Sequence, residues 1–237
     1  MGLLVVRTLG AGQVPTFAWV LAEVRHLPVT YAYVTFSTVA VFAFLGYGLG
    51  RWFDRVRLLS ITDPLTGLFN RRYMEETLER ELRRAGRSGK GLGVVMIDVD
   101  NFKRHNDVFG HDAGDVVLRR IGELLQRGLR REDTACRFGG EEFVLVLPDA
   151  RAEDAARRAE ELREQVRRLA TTVKGVSVGS VTVSLGVAAY PEHGLTGEML
   201  IKAADGALYA AKRGGRDRVV LAPAPDVADA SPSETVA

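Results

Sequence analysis

The run VTYAYVTFSTVAVFAFLGYGLG, residues 29–50, holds 22 positions without one charged side chain. As an α-helix rising about 1.5 Å per residue, it is long enough to cross the roughly 30 Å hydrocarbon layer of a bilayer. A one-faced soluble helix would show a polar stripe and this run has none, which leaves a buried core helix as the competing reading. Tyr31 and Tyr33 near one end, and Tyr47 and Trp52 near the other, fall where aromatic rings favour the membrane interface. Arg51, Arg55, Arg57, Arg71 and Arg72 follow the run, whereas Arg7 and Arg25 precede it, so the positive-inside bias puts the C-terminal part in the cytoplasm. The expectation is a single-pass protein of the inner membrane. Within residues 1–28, VPTFAWVLAEV is apolar but too short to span and is interrupted by Glu23, and the segment reads as interfacial or extracytoplasmic with no evident cleavable signal peptide. Gly46 and Gly50 make a GxxxG pair, a spacing more often accidental than functional in such a run.

Residues 51–61 read as a linker. The stretch 222–237 reads as a disordered tail, since its Pro, Ala and small polar residues cannot offset ordering entropy by burial. Between them, 62–221 alternates helical and strand patterns. The spacing predicts helices over 70–87, 111–129, 151–169 and 197–213, and strands at LGVVMID (92–98), around the hairpin 136–148, over 176–188 and at RVVLA. The order predicts an α+β fold with a ferredoxin-like βαββαβ core, one extra helix in front, and helices on one or both faces of a largely antiparallel sheet. Lys and Arg number 32 against 30 Asp and Glu, a balance without an electrostatic footprint for nucleic acid. The single cysteine, Cys136, excludes an internal disulfide and reads as a buried strand residue, and His26, His105, His111 and His193 lack zinc-ligand spacing.

CRFGGEEFVLVLP (136–148) places Gly139, Gly140, Glu141 and Glu142 at the tip of a hairpin. Two glycines there suit a turn with positive φ at both, and the two glutamates point to opposite sides as the strand begins. One of them overlooks the end of the neighbouring strand at Asp98. Asp98 and Glu141, if partly buried together, repel and raise each other's pKa unless a cation lies between them. Alone, the turn reads more readily as a solvated acidic loop than as a functional site.

DPLTGLFNRR, DVDNFKRHND, GHDAGD, RFGGEEF, VTVSLGVA and ADGALYAAKRGGRDR follow one another over 62–221. In this order and spacing the chain resembles the GGDEF-domain diguanylate cyclase family, here with a GGEEF turn and a palm-like nucleotidyl-cyclase core. The resemblance implies condensation of two GTP into cyclic di-GMP with release of two pyrophosphates, at the interface of a homodimer. It implies two Mg²⁺ (or Mn²⁺) per site, held by Asp98, the Val99 carbonyl and Glu141, with Glu142 a further ligand or an aid to deprotonation. Hard cations prefer such oxygen donors. Asn106 and Asp115, with His111 close by, would read guanine, whose adjacent N1–H and amine suit a carboxylate acceptor. Lys103, Lys212 and Arg216 correspond to phosphate-binding positions. Without the resemblance, Asn106 and Asp115 read as turn and surface-helix residues, and Lys212 and Arg216 as cations complementing a helix dipole. Asp100 reads better as a helix cap than as a ligand, and DPLTGL as a structural turn. RRED carries Arg130 and Asp133 in the RxxD pattern of a product-binding inhibitory site, with Arg157, Arg158 and Arg163 as further contacts. Phe69 and Asp217 depart from the family pattern at positions not expected to be catalytic. A non-catalytic cyclic di-GMP receptor, and a palm-type enzyme acting on other nucleotides, are the alternatives.

Overall fold

The structure is a computed structural model that describes residues 25, 28–59, 61–169, 172–173, 176–177 and 179–224. Apart from Arg25 and Pro28, the segment expected over 1–28 lies outside the described residues, as does the tail beyond 224. The chain divides into two compact units, residues 1–60 and 61–237.

The first unit contains helix α1 (Pro28–Leu59). Its stretch Pro28–Arg51, 24 residues with a mean hydropathy of 1.6 and none of it buried, is long and apolar enough to cross a membrane. The helix continues through most of the expected linker because residues 51–59 contain no Pro or Gly to stop it. The side chains of Tyr31 and of residues 52–59, with the interfacial position expected for Trp52, lie outside the description.

In the second unit, β1 (Phe69–Asn70) leads into α2 (Arg71–Ser88), then β2 (Leu92–Val99), α3 (Phe102–Phe109), α4 (His111–Gly128), β3 (Thr134–Arg137) and β4 (Glu142–Pro148). There follow α5 (Ala152–Arg167), β5 (Thr172–Val173), β6 (Val176–Ser177), β7 (Val183–Tyr190), α6 (Gly197–Arg213) and β8 (Val219–Leu221). The main sheet runs β1-β3-β4-β2-β7-β8. Its four central strands are antiparallel neighbours in the ferredoxin-like order, and β1 and β8 add parallel edges. β2 is buried at all eight positions because strands flank it and helices cover both faces. Val94, Met96, Val144, Val146 and Ala188 pack with Met74, Leu78, Leu200 and Leu208 of α2 and α6. Val95, Ile97, Phe143, Leu145, Leu185 and Val187 pack with Val117, Ile121, Leu125, Ala155 and Leu162 of α4 and α5. This alternation is the period-two signature of each strand.

Three expectations are corrected. The strand region 176–188 is split: β6 pairs with β5 as a separate two-stranded sheet, and only β7 joins the core. The stretch after Asp98 folds into its own short helix α3, ended at Gly110, whose φ of 84° breaks the helical path before α4. Ala222, assigned to the tail, is buried and its N–H donates to the Val187 carbonyl at 2.8 Å.

Candidate active site

Asp98 ends the central strand, 5% exposed, with Lys212 Nζ at 2.8 Å from its carboxylate. Gly186 makes this pairing possible. A Cβ there would stand 2.1 Å from the Ala204 carbonyl and 2.2 Å from the Leu208 N–H, so only glycine lets α6 lie on β7 closely enough to deliver Lys212 over the sheet end. Burial holds Asp98's carboxyl above its ordinary value against the opposing pull of Lys212 and Arg216, and Asp100 adds to the rise.

In the β2–β4 register Asp98 faces Glu142, so both lie on the α2/α6 side of the sheet. Glu142 lines a groove there with Arg71, Glu75 and Phe138, the Arg71 guanidinium lying 4.3 Å from the Phe138 ring centroid. Glu141 is the turn residue before it, and its carbonyl accepts the Val99 N–H at 3.2 Å. Its carboxyl is raised by partial burial and by the charge of Asp98, with Lys212 opposing and Glu142 adding. The expected positive φ at Gly139 and Gly140 is not found. The turn closes instead through the Phe138 and Gly139 N–H groups on the Glu142 carbonyl, and a Cβ on Gly139 would meet the Glu142 carboxylate at 2.6 Å.

Among the described residues, no three or more His, Cys, Asp or Glu side chains are placed so as to hold a metal ion by themselves. The candidate cage is therefore two carboxylates, Asp98 and Glu141, with the Val99 carbonyl. The donor set fits a hard divalent cation: all oxygen, with both carboxyls raised by a burial and crowding that a cation would relieve.

Helices α3 and α4 hold the candidate base-reading residues. Asn106 lies over Gly114, where a Cβ would stand 2.0 Å from its side-chain oxygen, and Asp115 is half-buried beside it. That Asn106 oxygen is buried against Gly114 without a hydrogen-bond partner in this structure. His111 and Lys103 are exposed on the first turns of α4 and α3.

Asp100 does not cap a helix. It accepts from the Thr182 and Ser184 hydroxyls at 2.7 Å each and from the Asp217 N–H at 3.1 Å, tying β2, β7 and the loop bearing Arg216. The hairpin tip is tied as well: Arg137 donates to both Asp63 oxygens at 3.2 Å and to the Gly140 carbonyl at 2.7 Å. The DPLTGL turn is thus structural, as expected, and braces the GGEEF tip. Its partner Arg137, in the same RFGGEEF stretch, was the signal overlooked.

Across the sheet, Arg130, Asp133, Arg157 and Arg158 line one cleft with Leu147, Pro148 and Asp154. Asp133 accepts the Arg130 N–H at 2.9 Å, and burial raises its carboxyl against the pull of that hydrogen bond and of Arg158. Arg163 does not join them. It turns away to pair with Asp217, Glu160 and Glu164.

A model of the GGDEF diguanylate cyclase domain matches residues 60–218. The chain belongs to the GGDEF-domain diguanylate cyclase family. Members of this family generally use divalent metal ions. The response regulator PleD of Caulobacter vibrioides is 46% identical to this GGDEF chain over 163 residues, 68% of the chain and 36% of PleD. The diguanylate cyclase DgcP of Pseudomonas aeruginosa is 45% identical over 166 residues, 70% of the chain and 24% of DgcP. The chain therefore spans about a quarter to a third of these curated relatives. The GGDEF domain of DgcB from Caulobacter crescentus, solved in complex with c-di-GMP, superposes with a TM-score of 0.65 at 35% identity, covering 68% of this chain and 95% of that one. The active GGEEF domain of a Vibrio cholerae diguanylate cyclase gives 0.60 at 32% identity, covering 66% and 98%.

Proposed function

We propose that this chain condenses two GTP into cyclic di-GMP and two pyrophosphates. The observation that carries the reading is the buried Asp98 carboxylate at a sheet end, with Lys212 at 2.8 Å, opposite Glu142 in the β2–β4 register and with Glu141 in the adjoining turn. The chain's own family, the name of the diguanylate cyclase DgcP and the c-di-GMP held by the DgcB domain support it. Asp98, the Val99 carbonyl and Glu141 would hold one or two Mg²⁺ or Mn²⁺, which when bound shield the triphosphate and acidify the attacking hydroxyl. Asn106 and Asp115, with His111, offer acceptors to guanine's N1–H and amine. Lys103, Lys212 and Arg216 offer cations to the phosphates. Lys212 neutralises Asp98 in this structure, and it has its charge free for a phosphate once Asp98 has another counter-ion.

In each half-reaction the 3′-hydroxyl of one GTP attacks the α-phosphorus of the other. An O–P bond forms, the bond to pyrophosphate breaks, and the hydroxyl proton passes to a base, a duty we assign to Glu141 or Glu142. Because one domain offers one such site, two copies must face each other. Helix α1 would anchor them in the inner membrane with the catalytic unit in the cytoplasm. The Arg130–Asp133 cleft would take the product as an inhibitor, its guanidinium groups on phosphate and its carboxylate on guanine. A receptor that binds cyclic di-GMP without making it is the second reading, favoured by that same cleft.

Glu141→Gln separates the readings. The turn closes through main-chain groups, so the variant folds, and loss of a ligand charge lowers the rate of product formation by about 100-fold or more. A receptor would lose no function, and a folded variant with a near-normal cyclase rate would overturn the assignment of Glu141.

A further inference from the structure

Arg216 and Asp217 stand at φ 64° and 45°, left-handed backbone that residues with a Cβ adopt only when something holds them there. The structure holds them twice. The Asp217 N–H donates to Asp100, whose carboxylate is fixed by Thr182 and Ser184. The Asp217 side chain receives the guanidinium of Arg163, with Arg167 at 3.7 Å. Arg163 is 7% exposed, and Glu160 and Glu164 grip its remaining N–H groups, so it is a fixed post and not a wandering surface cation. It stands on α5, which packs on the sheet face opposite Lys212.

We infer that Arg163 and Asp217 are positioning residues that set Arg216 toward the nucleotide's phosphates. The inference rests on the proposed cyclase reading, in which Arg216 is a phosphate cation. Arg216 is exposed and follows Lys212, whose Nζ lies 2.8 Å from Asp98, by four residues, so the backbone conformation at 216 and 217 sets the direction in which its side chain leaves the loop beside the candidate site. Its own N–H is tied to the Ala211 carbonyl at 3.1 Å and its carbonyl to the Arg218 guanidinium at 3.0 Å. Those bonds fix the two peptide groups that flank Arg216, and the Asp217 carboxylate ties the second residue of the pair to α5 across the sheet. Pre-organisation of this kind matters for an oriented charge, whose contribution falls when the loop must be ordered at the moment of binding.

The test compares Asp217→Asn with Asp217→Gly in the full chain, since both residues tolerate left-handed backbone but only Asn keeps an acceptor for Arg163. Affinities for GTP and for guanosine are measured by competition with Mg²⁺ present, after melting curves establish that each variant is folded. Asp217→Gly is expected to bind GTP about 10-fold more weakly with guanosine unchanged, and Asp217→Asn to stay close to wild type on both. A merely structural role would lower both ligands together, and that result, or failure of Asp217→Gly to fold, overturns the inference. Equal GTP affinity in Asp217→Gly and wild type overturns it alone, leaving the cyclase reading standing. A wild-type chain that binds no GTP sinks the cyclase reading and this inference with it.

Discussion

Asp98 and Glu141 are carboxylates kept where their charge is costly, and burial raises both from their ordinary values. Asp63 is the opposite case. Burial would raise it, but the Thr66 hydroxyl and N–H, at 2.7 and 2.9 Å, and the Arg137 guanidinium outweigh burial and hold its carboxyl below the ordinary 3.8. A lowered pKa adds stability above the unfolded value and loses it as pH falls through the folded one. Asp63→Asn should therefore cost about 1–3 kcal/mol at neutral pH, seen as a lower melting temperature, and the gap to wild type should close as pH falls below 3.8. A gap independent of pH would show that the charge of Asp63 is not what braces the hairpin. Sequence alone gave the polar residue types at the site and their separations. It did not disclose Asp100 as a clamp or Arg163 as its distant post, because those partners lie 117 and 54 residues from Asp217 along the chain. Long-range pairing of like residue types has no local signature.

At the scale of elements, periodicity served where one face is buried along a whole helix, as in α2, α5 and α6, and β2, buried on both faces, showed instead as a continuous apolar run. It failed at α3, an eight-residue helix with only Phe102 buried, and at 176–188, where alternation continues through two strands belonging to different sheets. The turn glycines failed for another reason. Two adjacent glycines suggest positive φ, but here they serve close approach to the Glu142 carboxylate and an open backbone at Gly140. The cleft of Arg130 and Asp133 gathers α5 and the ends of α4 and β4, and shares β3 and β4 with the GGEEF tip. Product bound there would act on the position of whole domains, not on the metal cage. Arg130→Ala should raise the plateau of product formed and leave the initial rate nearly unchanged. Overlapping progress curves, with added cyclic di-GMP inhibiting neither protein, would reduce the cleft to a charged helix end.

At the scale of the whole molecule, the proposed chemistry needs two copies, and α1 in its proposed role as a membrane anchor would concentrate them in a plane. If each copy holds one GTP, specific activity of the full chain in detergent should rise with protein concentration and level off once dimers dominate. Flat specific activity down to concentrations at which light scattering finds only monomer would contradict the half-site arrangement. The measurement that bears most directly on the central claim is the product itself. The full chain incubated with GTP and Mg²⁺, its products identified by mass, should yield cyclic di-GMP with two pyrophosphates for each molecule formed and leave ATP unconsumed in a parallel reaction. GTP recovered intact from a folded chain that nonetheless binds cyclic di-GMP would contradict it and make the protein a receptor.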